Sequence, residues 1–264
     1  MFKTRVLTAL VGVPVFLLIV YLGGFIYVGL VTFLALLGLR EYFTIMEKTS
    51  WQPVQWPGYI FLPLIFLSVY LVKDISLVLL LWLLLFMFYS LAPVFFPLKI
   101  KYWESALSFW GIVYLGALSS FIIAIRSLSE GFYLSLVLLV MVWSSDIMAY
   151  LVGRSVGKRP LARISPKKTI EGTIGGIAGS GISGLVFAAV LPMESLTMIS
   201  GGLLGIIVGG IGALGDLTQS ALKRSVNVKD SGHLFPGHGG VLDRFDSLFF
   251  SAPLFYYFIK YIGL

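Results

Sequence analysis

Four carboxylates stand where a membrane-crossing chain rarely carries charge. Asp146 follows Trp143-Ser144-Ser145 close to one end of an apolar run. Asp216 closes Gly212-Ala213-Leu214-Gly215 close to the end of another. Asp243 and Asp246 open a third, and their spacing of three puts them on one face of a helix. Gathered at one depth without compensation, these acids would repel each other at a cost on the order of several kcal/mol. A bound divalent cation removes the conflict. Oxygen ligands are available and thiolates are absent, so Mg²⁺ is the natural choice. Each acid also has a plainer use. Asp243 suits capping of the last helix or pairing with Arg244, and Asp146 suits hydrogen bonding to neighbouring helices.

Two basic stretches supply the opposite charge. One is Ser165-Pro166-Lys167-Lys168-Thr169-Ile170-Glu171-Gly172. The other runs through Lys223-Arg224, Lys229-Asp230, His233 and Pro236-Gly237-His238-Gly239-Gly240. Phosphate binding needs Lys or Arg for charge and Gly so that backbone N–H groups can approach. Any single cation here also serves as a topology signal or a contact for anionic lipid headgroups. Topology needs no Asp, His and Gly interleaved among the cations, however. Acids for a metal, cations for several phosphates and a position at headgroup depth point to transfer of a phosphorus group to or from a lipid. Walker A, Ser-His-Asp and H-E-x-x-H patterns are missing. The lack of cysteine excludes a disulfide framework, a thiolate zinc site and a Cys nucleophile, and two histidines argue against a multi-His metal site.

The elements that must position these groups are apolar helices. Of 264 residues, 58% are hydrophobic and 12% charged, with a mean hydropathy of +0.98, whereas soluble domains carry about a quarter charged residues. The reading is an all-α polytopic integral membrane protein. Nine spans of about 20 residues fall near 6–22, 25–39, 57–72, 75–97, 106–125, 131–152, 172–192, 198–219 and 246–262, the first two divided at Gly23-Gly24. Of the 19 Lys and Arg, all but Lys73, Arg126 and Lys260 fall on one side of this arrangement. That side is the cytoplasm by the positive-inside rule, which places the N-terminus inside and the C-terminus outside. The first span is read as retained, because no A-x-A-like cleavage site follows it. The net charge of +7 is explained by these short loops, so nucleic acid is not expected as a partner. Residues 1–104, bulky and poor in motifs, read as scaffold. Residues 105–264, with cytoplasmic loops at 154–170 and 220–245, read as the chemical half. Gly201, Gly205 and Gly209 let helix backbones touch, either inside one subunit or between two.

The segment Ser220-Ala221-Leu222-Lys223-Arg224, Lys229-Asp230, His238-Gly239-Gly240, Asp243-Arg244-Phe245-Asp246 resembles the signature of the CTP:phosphatidate cytidylyltransferase (CDP-diacylglycerol synthase) family. The pattern S-x-x-K-R-x4-K-D followed by H-G-G-x-x-D-R-x-D is unbroken. The stretch from Ser165 to Gly172, Gly215-Asp216, and Asp146 ahead of Tyr150 and Gly153 also resemble it. The likeness covers about 140–250, and the first 100 residues agree in hydropathy alone. It implies a dimeric enzyme of the cell membrane, with its active site facing the cytoplasm. It implies Mg²⁺-dependent joining of CTP and phosphatidic acid into CDP-diacylglycerol and pyrophosphate. On these residues, Asp216 and Asp246 hold metal with Asp146 or Asp243 assisting. Lys167, Lys168, Lys223, Arg224 and Lys229 hold the phosphates. His238, Gly239, Gly240 and Arg244 belong to the substrate loop. A second, monovalent cation between the acids is left open. Two alternatives are a CTP-dependent polyprenol or phytol kinase, whose hydroxyl acceptor would call for a base, and a transporter, which would place its polar residues at mid-membrane.

Overall fold

A computed structural model describes residues 2–49, 51–72, 75–191, 193–232 and 239–262, and for 2–9 and 11 the backbone alone. Among the described residues the helices are α1 (Phe2–Leu22), α2 (Gly24–Met46), α3 (Trp56–Leu71), α4 (Ile75–Phe95), α5 (Tyr102–Arg126), α6 (Gly131–Val156), α7 (Ile170–Val190), α8 (Met198–Ser225) and α9 (Leu242–Tyr261). Each lies on one expected apolar stretch. Six of them, α2 and α4 to α8, are long and apolar enough to cross a membrane. α3, at 16 residues, is shorter, and α9 carries Asp243, Arg244 and Asp246 near its start. One short hairpin departs from the helical pattern: β1 (Pro160–Ala162) pairs antiparallel with β2 (Ser165–Thr169), Pro160 opposite Thr169 and Ala162 opposite Ser165. Large apolar side chains such as Phe25, Val94, Ile182 and Ile199 are more than half exposed, the outer coat of a protein surrounded by lipid.

The chain packs as two units. One comprises Met1–Ala124 with Val226–Arg244. Here the break between α1 and α2 falls at Gly23 and Gly24, with φ of 62° and 59°, left-handed values that glycine alone adopts without strain. Tyr42 lies against α5 where Gly111 has no side chain, and its hydroxyl donates to Leu107 O at 3.0 Å. Glu104 is 4% exposed and accepts from the backbone N–H of Gln52 and Lys101, each at 3.2 Å.

The other unit comprises Ile125–Ser225 with Phe245–Leu264. Its helices meet along seams of small residues. Gly176 and Gly179 of α7 lie on the backbone of α6 at Ser145 and Ser144. Gly205 and Gly209 of α8 lie on α7 at Ser180 and Ile177, and Gly184 faces Gly201. The four-residue glycine spacing of α8 is therefore used inside the chain. α9 closes on α8 the same way: Gly215 touches Asp246 O and Phe250, Gly212 faces Ser247 and Ser251, and Ser251 Oγ donates to Val208 O at 3.2 Å.

Candidate active site

In the second unit the hairpin leads directly into α7. Thr169, the last residue of β2, caps α7 by accepting from Gly172 N at 3.1 Å, satisfying one of the orphan donors of a helix start. Glu171 then ties the hairpin down. It accepts from Lys158 N at 3.1 Å and Arg159 N at 3.2 Å, and pairs with Arg159 Nε at 3.1 Å. Successive side chains of a strand point to opposite faces. Lys167 is accordingly exposed while Lys168 turns inward.

Lys168 forms an ion pair with Asp216 of α8, and its ammonium nitrogen is shielded from solvent. Asp246 of α9 feels the charges of Asp216, Asp146 and Lys168. Three helices and one strand thus bring three acids and one lysine into a single electrostatic field. Asp246 is only 7% exposed, drier than a surface ligand, and accepts from Ser247 N at 2.7 Å. Asp146 is exposed on α6. The glycine seams explain the convergence: with no side chain at Gly215, the backbone of α8 lies against Asp246 itself. No three acidic or histidine side chains among the described residues enclose an ion-sized space.

The first unit holds a second group. Asp243 Oδ2 accepts from Ser231 N at 2.9 Å, Ser231 Oγ at 2.8 Å and Gly240 N at 3.2 Å. The Gly240 N–H is therefore given to a carboxylate, and Gly239 takes a φ of 85° beside Asp243. Glu41, near the end of α2, accepts from Val241 N at 2.9 Å, Leu242 N at 3.0 Å and Ser231 Oγ at 3.2 Å. The sequence reading passed over Glu41, a lone acid beside Arg40 in the motif-poor half.

Lys223 and Arg224 occupy the last turn of α8, half-buried and exposed respectively, and Lys229 and Arg244 are exposed. His238, with His233, Pro236 and Gly237, lies outside the described residues.

The sequence matches the profile of the Cytidylyltransferase family over residues 3–262, the whole of both units but for a few terminal residues. The chain belongs to the cytidylyltransferase family. Relatives named phosphatidate cytidylyltransferase support this cytidylyltransferase assignment, two of them over nearly full length. One from Synechocystis sp. is 32% identical over 283 residues, covering 97% of this chain and 95% of the relative. One from Staphylococcus aureus is 36% identical over 259 residues, covering 96% of each. One from Bacillus subtilis is 42% identical over 151 residues, or 56% of this chain and 55% of that protein. The cytidylyltransferase is thus a nucleotidyl-transferring enzyme built on membrane helices.

Proposed function

We propose that this enzyme transfers the cytidylyl group of CTP to phosphatidic acid, giving CDP-diacylglycerol and pyrophosphate for phospholipid biosynthesis. The observation that carries the reading is the Lys168–Asp216 pair standing in the field of Asp246 and Asp146, within a chain matched end to end by a nucleotidyltransferase family. A phosphatidate oxygen forms a bond to the α-phosphorus of CTP. The bond from that phosphorus to the β-phosphate bridge breaks, and its electron pair leaves with pyrophosphate. Phosphate is already anionic near pH 7, so the residues need to orient it and screen its charge rather than remove a proton.

Mg²⁺ fits the donor chemistry of the acid cluster. The donors are hard carboxylate oxygens, gathered from three helices around the Lys168–Asp216 pair. Asp216 and Asp246 would hold the ion with Asp146, while Asp243 holds Ser231 and Gly240; a second, monovalent cation has the same acids to bind. When bound, Mg²⁺ supplies positive charge against the triphosphate. Lys168 pairs with Asp216 and can turn its ammonium toward a phosphate. Lys167, Lys223, Arg224, Lys229 and Arg244 offer further charge for the triphosphate and the lipid phosphate. The distribution of Lys and Arg supports a cytoplasmic N-terminus, an outward C-terminus and chemistry at the inner leaflet. The working unit is a homodimer in this reading.

Purified protein in detergent with phosphatidic acid tests it. With CTP labelled at the α-phosphorus, radioactivity should enter lipid. Label entering lipid from the γ-position alone would make the protein a lipid kinase and end the proposal.

A further inference from the structure

We infer that Glu41 is a positioning residue for nucleotide binding, an inference that rests on the cytidylyl-transfer reading. The first turn of any helix presents N–H groups without partners. A residue of the local sequence usually covers them, yet here Asp243 turns back to Ser231 and Gly240. A carboxylate from α2, some 200 positions earlier, takes Val241 N and Leu242 N instead. The same carboxylate receives Ser231 Oγ, so one side chain joins Ser231 to the backbone at Val241 and Leu242. It lies so close that a Cβ built on Gly232 would stand 2.7 Å from Glu41 Oε1, and one on Gly240 would also collide with it. Gly232 and Gly240 are thus matched to Glu41.

The consequence reaches the chemistry through α9. Leu242, held by Glu41, is one turn before Asp246 on that helix. Glu41 therefore fixes the start of the helix that carries a candidate metal ligand and, in its first turn, the exposed Arg244. Charge-assisted hydrogen bonds to backbone N–H are stronger than neutral ones. A carboxamide of equal size keeps one oxygen but turns a donor toward donors.

Glu41→Gln is the test, with Ser231→Ala as a milder variant that removes the hydroxyl shared by Glu41 and Asp243. Both are measured beside the wild type for turnover, for KM of each substrate, for equilibrium binding of CTP without phosphatidic acid, and for thermal midpoint in detergent. In Glu41→Gln, KM and dissociation constant for CTP should rise about tenfold, the scale of one lost charge-assisted hydrogen bond. KM for phosphatidic acid should hold. Ser231→Ala should show the same pattern at about threefold, as befits a single weaker contact. Unchanged CTP binding in a folded Glu41→Gln overturns the inference, as does a uniform loss tracking a lower midpoint. If Glu41→Gln fails to fold, Ser231→Ala decides: unchanged CTP binding there also overturns it. A wild type that moves no α-label into lipid would instead overturn the reading of the reaction.

Discussion

Asp246 concentrates the conflict between stability and function at the residue scale. It is buried at 7% exposure and shares a field with Asp216 and Asp146. Holding a charge in so dry and acidic a setting costs the fold stability, so removing it relieves the fold. Asp246→Asn should leave the thermal midpoint unchanged or raised while cytidylyl transfer drops by about a hundredfold or more, the scale of removing a key electrostatic group. Midpoint and turnover of one preparation check both halves. The two lysines of β2 make a second prediction. Lys168→Met strips the ion pair from Asp216 and should lower both midpoint and turnover, whereas Lys167→Met, on the exposed face of the strand, should lower turnover alone. The sequence announced Asp146, Asp216 and Asp246 because acids beside apolar runs are rare. It could not separate Lys167 from Lys168, since that division needs the strand, and the strand is too short to leave a periodic trace. Glu41 stayed hidden for another reason: its partners are backbone groups some 200 positions away, which have no spelling in a sequence.

At the scale of elements, the glycine seams do the positioning. A methyl group on Gly215 would meet Asp246 O at 2.7 Å and Phe250 Cβ at 2.9 Å, while one on Gly210, on the same helix, would meet nothing within 4 Å. Overpacking of this kind costs about 1–3 kcal/mol. Gly215→Ala should therefore depress both stability and turnover, and Gly210→Ala should do neither, as melting and activity curves in one detergent will show. Glu130, just before α6, ties down the loop between α7 and α8 by accepting from Glu194 N at 2.6 Å, Ser195 N at 3.1 Å and the Ser195 hydroxyl. Desolvation pushes its carboxyl up, but these bonds outweigh it and hold it below the ordinary 4.5. The contribution is thus full above pH 4.5 and fades as pH falls through the lower folded value. Glu130→Gln should therefore lower the melting midpoint at neutral pH, and the two melting curves should converge as the pH falls through the folded value. Helix positions were legible from hydropathy alone, and so was the break at Gly23-Gly24. The hairpin was not, because β1 spans three residues and Arg163, Lys167 and Lys168 make the rest read as loop.

For the whole molecule, the chain's lack of cysteine makes membrane sidedness a clean measurement. Single cysteines at Lys101 and Lys229, treated with an impermeant maleimide, should react in inverted vesicles and stay unlabelled in intact cells. A cysteine at Ser195 should show the reverse. Lys101→Cys should also keep nearly full turnover, since it is the backbone N–H of Lys101 that Glu104 uses. Labelling of Lys229→Cys from the outside would invert the proposed orientation and move the reaction to the other leaflet.

The backbone-to-backbone contacts among α6, α7 and α8 also bear on life in a changing bilayer. Helices spaced by bulky side chains can slide or lean singly as the hydrocarbon layer thins or thickens. Helices touching through glycine have no cushion between them, so none of these three can tilt without the other two. Asp146 and Asp216 must ride up or down together, and the distance between them should survive shifts in temperature and fatty-acid supply that alter everything around the enzyme.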